Sequence, residues 1–496
     1  MNVHGALMRN TFWYGLVTAL GLLSGLLMSI ILARGLGPAL MGDLSYLLWF
    51  ERTLTAVAML GYGFATVRYT AEAFARDEDE HAWGVVRLYM RRQALTTAIV
   101  VVAVLPLVLW LVPGAIRGAF LVILAQLFLV TTESLYSYAL QGAQRYDLTT
   151  RTSAIKMALQ LVVAALAILY GADLLVLVSG LALTLTVSCL IQRRRAHEVY
   201  HASLRAPVAP MTAEARAYLL PLSVVAVLDA IVWDRSEVFF LGLYASSEDI
   251  AFYSLAFGLA TRIMIIPGIV VGALLPAFST LHGRGHPEEF RRLYRMALRY
   301  VGLVGVPLAA IVAALAPGLI VWLYGEAYLP AARLMGVMAA VSLLSALRSV
   351  TWAALRAVGD RRCALTATAV AAVVNIALAA ALIPRWTTTG AVIANTAAQV
   401  TASVWVFIGF ARAHRASTPL ADFAKLAAAG ALTLLVTDLI AGDSHELMRL
   451  VVAGAAGFTV FALACLPTRL LGPREWTFIT TSTRRLAARA SGATTA

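Results

Sequence analysis

The chain has 496 residues, 61% apolar and 13% charged, with a mean hydropathy of +0.82. A soluble domain carries about a quarter of its residues as charges, so a string of soluble domains is excluded and an all-α polytopic membrane protein is expected. The net charge of +13 lies in short loops with no basic, aromatic-interleaved module, a pattern that fits anionic lipid headgroups and not nucleic acid.

A helix needs about 20 apolar residues to cross hydrocarbon. By that measure fourteen spans are expected, at 11–33, 40–68, 93–112, 118–143, 149–170, 172–192, 217–244, 249–275, 299–324, 329–358, 363–383, 388–411, 424–441 and 446–467. The first is too long for a signal-peptide core and lacks a small-residue cleavage site, so it reads as a retained span. Pro106, Pro267, Pro307 and Pro317 fall inside spans and predict kinks, because neighbouring helices resatisfy the freed carbonyls.

Loop charge sets the orientation. With the N-terminus inside, 27 of the 39 Lys and Arg fall on the inner side and 5 on the outer, while 7 lie within spans. This positive-inside bias places both termini in the cytoplasm. Trp13, Trp110, Tyr170, Trp322, Tyr324 and Trp386 stand at span ends, where interfacial belts form. The longest inner connection, 193–216, opens on Arg193-Arg194-Arg195 and is read as a cytoplasmic linker. It separates an N-terminal lobe (1–192, spans 1–6) from a C-terminal lobe (217–415, spans 7–12). Spans 13 and 14 (416–467) and a cytoplasmic tail (468–496) follow. Gly42-Asp43-Leu44-Ser45-Tyr46 and Ala251-Phe252-Tyr253-Ser254-Leu255 open spans 2 and 8 in the same sense, so the lobes read as parallel repeats.

The cations within spans are Arg52, Arg68, Lys156, Arg235, Arg262, Arg348 and Arg356. A charge at the centre of a span costs roughly 2.5–3.5 kcal/mol on insertion scales, so these groups are expected to face water, an acid or an anionic substrate. In span 4, Gln126, Glu133, Ser137 and Gln144 share one helical face, and Lys156 of span 5 lies at nearly the depth of Glu133. A Glu133–Lys156 ion pair is expected, either as a fixed lock or as a switch. Span 7 holds Asp229, Asp234, Arg235 and Glu237, with Asp229, Trp233 and Glu237 on one stripe. Arg235 either pairs with Asp234 or a neighbouring helix, or lines a translocation path. Arg52, Arg262 and Arg348 lie in the middle portions of spans 2, 8 and 10, where guanidinium groups could grip phosphate oxygens. Arg68 and Arg356 lie at inner ends, within reach of headgroups.

Cys189, Cys363 and Cys465 show no metal spacing and read as small apolar fillers. There is no P-loop, HExxH or GxSxG, so no enzyme, metal or cofactor is expected.

Three stretches carry a resemblance. They are Trp233-Asp234-Arg235-Ser236-Glu237-Val238-Phe239-Phe240-Leu241-Gly242 running on through Ser247–Ala256, Val374-Asn375-Ile376 with Leu382-Ile383-Pro384-Arg385-Trp386 and Gly390-Ala391-Val392-Ile393-Ala394-Asn395, and Ala33-Arg34-Gly35-Leu36-Gly37-Pro38. Together they resemble the polysaccharide transporter (Wzx-type flippase) family of the multidrug/oligosaccharidyl-lipid/polysaccharide exporter superfamily. Ala251 departs from the glycine often found there. The resemblance implies an inner-membrane flippase for polyprenyl-pyrophosphate-linked oligosaccharide, with two six-helix lobes in a V that open alternately. A central cationic cavity of Arg52, Arg262, Arg348 and Arg235 would receive the headgroup while the tail stays in lipid. Asp229, Glu237, Glu51 and Glu133 become candidates for ion or proton coupling. Glycosyltransferases and a polysaccharide polymerase are the implied partners. A drug exporter of the same superfamily and a membrane glycosyltransferase or polymerase remain the alternatives. The first would want an acid-dominated cavity, and the second a large outer loop.

Overall fold

The computed structural model describes residues 3–468, apart from 202–206, 234, 273, 416–417 and 443. Its described elements are all helical, as a backbone in hydrocarbon requires when no water can satisfy it. Two compact units emerge, Met1–Leu255 with Thr368–Ala398, and Ala256–Ala367 with Gln399–Ala496.

The first unit begins with α1 (Val3–Met59), a double-length helix that bends at Gly37 (φ 75, ψ 171) just before Pro38. Only glycine takes that conformation without strain, and it lets one segment supply spans 1 and 2. After Leu60-Gly61, both at positive φ, come α2 (Tyr62–Phe74), α3 (Asp79–Leu111), α4 (Gly114–Gly142), α5 (Tyr146–Leu169) and α6 (Leu174–Val199). The α4 helix is the hub, packing on α2, α3 and α6, while α5 packs on α1 and α6. Lipid is as apolar as leucine, so close packing replaces the hydrophobic effect as the adhesive. Gly63 shows this, sitting flat beneath the Tyr138 ring with no room for a Cβ. At one end a buried cluster of Trp83, Tyr136 and Tyr200 forms, with the Tyr200 hydroxyl donating to the Ala139 carbonyl at 2.7 Å.

Next along the chain are α7 (Ala213–Trp233), α8 (Glu237–Tyr244) and α9 (Ser247–Ile263). The second unit continues with α10 (Ile265–Gly272), α11 (Leu274–Gly283), α12 (Pro287–Ala314), α13 (Ala316–Tyr324) and α14 (Pro330–Val358). The double-length α15 (Arg361–His414), α16 (Leu420–Ala441) and α17 (Leu447–Cys465) complete the chain. Within this unit α12 packs on α14 and α16, and α16 pairs with α17. Phe278, Phe290, Tyr294 and Phe410 form its aromatic core, with Tyr294 and Phe410 centroids 4.8 Å apart.

Among the described residues, ten helices are long and apolar enough to cross a membrane. Two of these, α1 and α15, bend at Gly37 and Thr387 and so hold two spans each. The broken pairs α7–α8 and α9–α10 occupy the expected spans 7 and 8, while span 2 runs from α1 across Leu60-Gly61 into α2 and span 9 from α12 across Leu315 into α13. Span 7 differs from the continuous helix expected: it is interrupted before Glu237, and Arg235 there is left-handed (φ 61). A non-glycine residue in that region costs about 1–2 kcal/mol, which apolar length does not disclose. The break interrupts the helical register on which one stripe through Asp229, Trp233 and Glu237 was expected; the side chains of Asp229 and Trp233 and all of Asp234 lie outside the described residues.

Candidate functional site

A cavity of about 580 Å³ opens in the first unit among α1, α2, α4, α5 and α6, with Glu51, Arg52, Gln126, Glu133, Lys156 and Gln160 as its chemistry-bearing walls. Apolar side chains, including Ile123, Val130 and Leu181, fill the rest of the lining. Gln126 and Glu133 are seven residues apart on α4 and therefore share a face. Each is engaged. Gln126 Nε2 donates to Glu51 Oε1 at 2.7 Å. Lys156 Nζ donates to Glu133 Oε1 at 2.9 Å, and Ser188 Oγ on α6 donates to the same oxygen at 2.9 Å. The ion pair expected across the α4–α5 hairpin is present, and Ser188 is a third member that sequence reasoning did not place. The cavity carries two cations and two carboxylates, so its formal charge balances.

Lys156 keeps 22% of its side chain accessible and Glu133 keeps 9%. Removing one partner of a fully buried pair costs about 3–5 kcal/mol. With Lys156 partly wetted by the cavity, roughly 1–3 kcal/mol is expected here. Lys156→Met should lower the melting temperature of the detergent-solubilised protein, and adding Glu133→Gln should recover part of the loss. Strictly additive single and double mutants would show that the pair is uncoupled.

A second polar centre sits at the span 7 break. Glu237 opens α8, where a helix N-terminus favours negative charge, and it is fully buried. Its Oε1 accepts from Asn375 Nδ2 at 2.7 Å and Asn395 Nδ2 at 3.0 Å. These asparagines stand on either side of the α15 bend at Thr387 (φ 42, ψ −119), so the bend brings two distant residues to one oxygen. The buried Tyr253 hydroxyl of α9 faces the same carboxyl. A buried carboxylate survives only with such donors. Both asparagines stood in the family-like stretches, but their common partner was not legible; an amide within an apolar span was the available signal. Arg235 lies two residues from Glu237, partly buried, with electrostatic contact to Tyr253.

The remaining expected cations go elsewhere. Arg348, in the second unit, is buried at 6% exposure. Its Nη1 donates to Gln399 Oε1 at 2.8 Å and reaches Ser403 Oγ at 3.5 Å. Arg262, also in that unit, ends α9 and folds back toward Gly258. Neither these two nor Arg235 is among the residues lining the cavity, whereas Arg52 is. Arg68 pairs with Glu72 at 2.8 Å and Glu214 at 3.0 Å and lies over the Tyr218 ring. Arg356 is exposed and donates to the Trp352 carbonyl at 3.3 Å.

Bent double helices, a broken seventh span and polar centres within apolar bundles define a multi-pass helical membrane protein. The family model described as "Polysaccharide biosynthesis protein" matches residues 7–282, and the chain belongs to that family. A model described as "Lipid II flippase MurJ" matches residues 250–462. Among solved structures, the lipid II flippase MurJ in an inward closed conformation is similar at a TM-score of 0.71 and 13% identity, covering 92% of this chain and 99% of that one. An inward-facing multidrug resistance MATE family transporter gives 0.65 and 17%, covering 80% and 96%. A superfamily transporter from Pyrococcus furiosus, described by the reverse polarity of its binding pocket, gives 0.58 and 16%, covering 82% and 95%. At these identities the structures speak for the fold alone. Comparison with curated protein sequences gives no match.

Proposed function

We propose that this protein flips polyprenyl-pyrophosphate-linked oligosaccharide across the cytoplasmic membrane by alternating access, for cell-surface polysaccharide synthesis. The observation that carries the reading is the cavity: a polar, charge-bearing chamber with apolar walls inside a bundle otherwise built for lipid. Arg52 meets the pyrophosphate, and Gln126, Gln160 and Ser134 offer amide and hydroxyl groups to sugar hydroxyls. The polyprenyl tail remains in the bilayer. Residues 1–192 and 217–415 act as the two lobes, and both termini lie in the cytoplasm. Glycosyltransferases supply the cargo and a polymerase consumes it.

The membrane potential is a sufficient drive. Moving one charge across 100 mV is worth about 2.3 kcal/mol, and a pyrophosphate leaving a negative interior travels downhill. Glu237, held between Asn375 and Asn395, serves the coupling ion or proton. Proteoliposomes loaded with lipid-linked oligosaccharide are expected to flip it faster under an imposed inside-negative potential. Glu237→Gln should fold normally yet lose any response to an ion gradient. The balanced cavity charge, with no net excess of cations, keeps an exporter of small cations as the second reading. Transport of a cationic dye with no flipping of the lipid-linked sugar would install it instead.

A further inference from the structure

The first unit buries an amide that no protein group satisfies. Gln192 of α6 is fully buried, and neither its Oε1 nor its Nε2 has a hydrogen-bond partner among the described residues. A bare amide in such a place is costly, and water commonly serves the buried polar groups that a protein leaves unpaired. The surroundings of Gln192 form a polar seam. Ser188, Gln192 and Arg195 are spaced four and three residues apart and make one stripe along α6, while Thr149, Thr152 and Lys156 make one along α5. The two stripes are joined at both ends. Beside the cavity, Ser188 Oγ and Lys156 Nζ donate to the same Glu133 oxygen. At the other end, Arg195 Nη1 donates to Thr152 Oγ1 and to the Leu148 carbonyl, both at 2.6 Å. Gln192 falls between these joints along α6, and Thr149 Oγ1 of the α5 stripe is also buried without a partner among the described residues.

We infer that this seam binds water, and that the water and the Gln192 amide take over Glu133 when Lys156 turns to the pyrophosphate of the cargo. The inference rests on the flippase reading. Water suits the seam because the amide offers both an acceptor and donors, and Arg195, three residues on, disfavours a cation. The resting pair sets the need for it. Lys156 lines the same cavity as Arg52 and keeps part of its side chain accessible, yet its charge is engaged by Glu133. A phosphate that draws Lys156 away strands a buried carboxylate, which is strongly unfavourable unless other donors reach it. Ser188 stays bonded, and Gln192, one turn along the same face, brings its unused N–H directly or through water. Gln192 is therefore a positioning residue. It touches no cargo, and it sets how readily Lys156 is released to become a second cargo cation.

A structure at a resolution that shows ordered water is expected to place density within hydrogen-bond distance of both Gln192 amide atoms. Gln192→Leu removes the unpaired amide and should melt no lower than the unmodified protein, yet flip lipid-linked oligosaccharide at least tenfold more slowly. Gln192→Asn keeps an amide and should fall between the two rates. In a Glu133→Gln background Lys156 is already released, so adding Gln192→Leu is expected to change the rate less than twofold. A packing role would give the same loss in both backgrounds. Should Gln192→Leu fail to fold, Gln192→Met takes its place in each comparison. A dry Gln192, a full rate in Gln192→Leu, equal losses in the two backgrounds, or a Glu133→Gln protein that flips nothing would each overturn the inference. If the unmodified protein flips no lipid-linked sugar, the cargo assignment and the release of Lys156 fail together, while the water density still decides the seam.

Discussion

Arg52→Gln is expected to slow flipping of lipid-linked oligosaccharide by roughly tenfold to a hundredfold while leaving the melting temperature within a degree or two. The magnitude follows from the contact it removes. A hydrogen bond to a charged group contributes about 1.5–3 kcal/mol, and each 1.4 kcal/mol is about tenfold. Stability is spared because Arg52 is exposed on the cavity wall rather than packed in a core. Arg52→Lys keeps the charge but loses the planar fork that matches phosphate oxygens, so an intermediate rate is expected. Arg356→Gln, at the exposed C-terminal end of α14, is the control and should stay within about twofold of the unmodified protein. Equal rates for Arg52→Gln and Arg356→Gln would remove Arg52 from the cargo path.

Much of the architecture could be read from residue order, and the reasons are physical. Membrane spans must be long and apolar, so the ruler of hydropathy finds them even where α1 and α15 run through a bend. Gly37-Pro38 marked its bend by residue type, whereas Thr387 carries no such mark and depends on the surrounding fold. The Glu133–Lys156 pair was legible because helical depth and periodicity place both groups without tertiary knowledge. The Glu237 centre was not, since its donors lie 138 and 158 residues away along the chain. Equal depth along their spans left the surroundings of Arg52 and Arg348 open. Arg52 lines the cavity, whereas Arg348 is held by groups of its own unit. Depth fixes position along the membrane normal but leaves the rotation of each helix open, and rotation decides what a side chain faces.

That difference gives Arg348 an expectation of its own. Its guanidinium is buried and bonded to Gln399, whose Oε1 also accepts from Ser345 Oγ at 2.9 Å. Replacing a buried charge with an apolar residue of similar length is often near neutral, because the cost of desolvating the charge disappears with it. Removing what solvates a buried charge is costlier, about 3 kcal/mol or more. Gln399→Leu is therefore expected to lower the melting temperature of the detergent-solubilised protein well below that of Arg348→Met. In the double variant, Arg348→Met should recover most of the loss. Flipping by Arg348→Met should stay within a few-fold of the unmodified rate. A variant that melts normally but flips no substrate would instead make Arg348 a second cargo contact, and the cationic path would then extend beyond Arg52. Its burial and its hydrogen bond to Gln399 argue for the structural outcome.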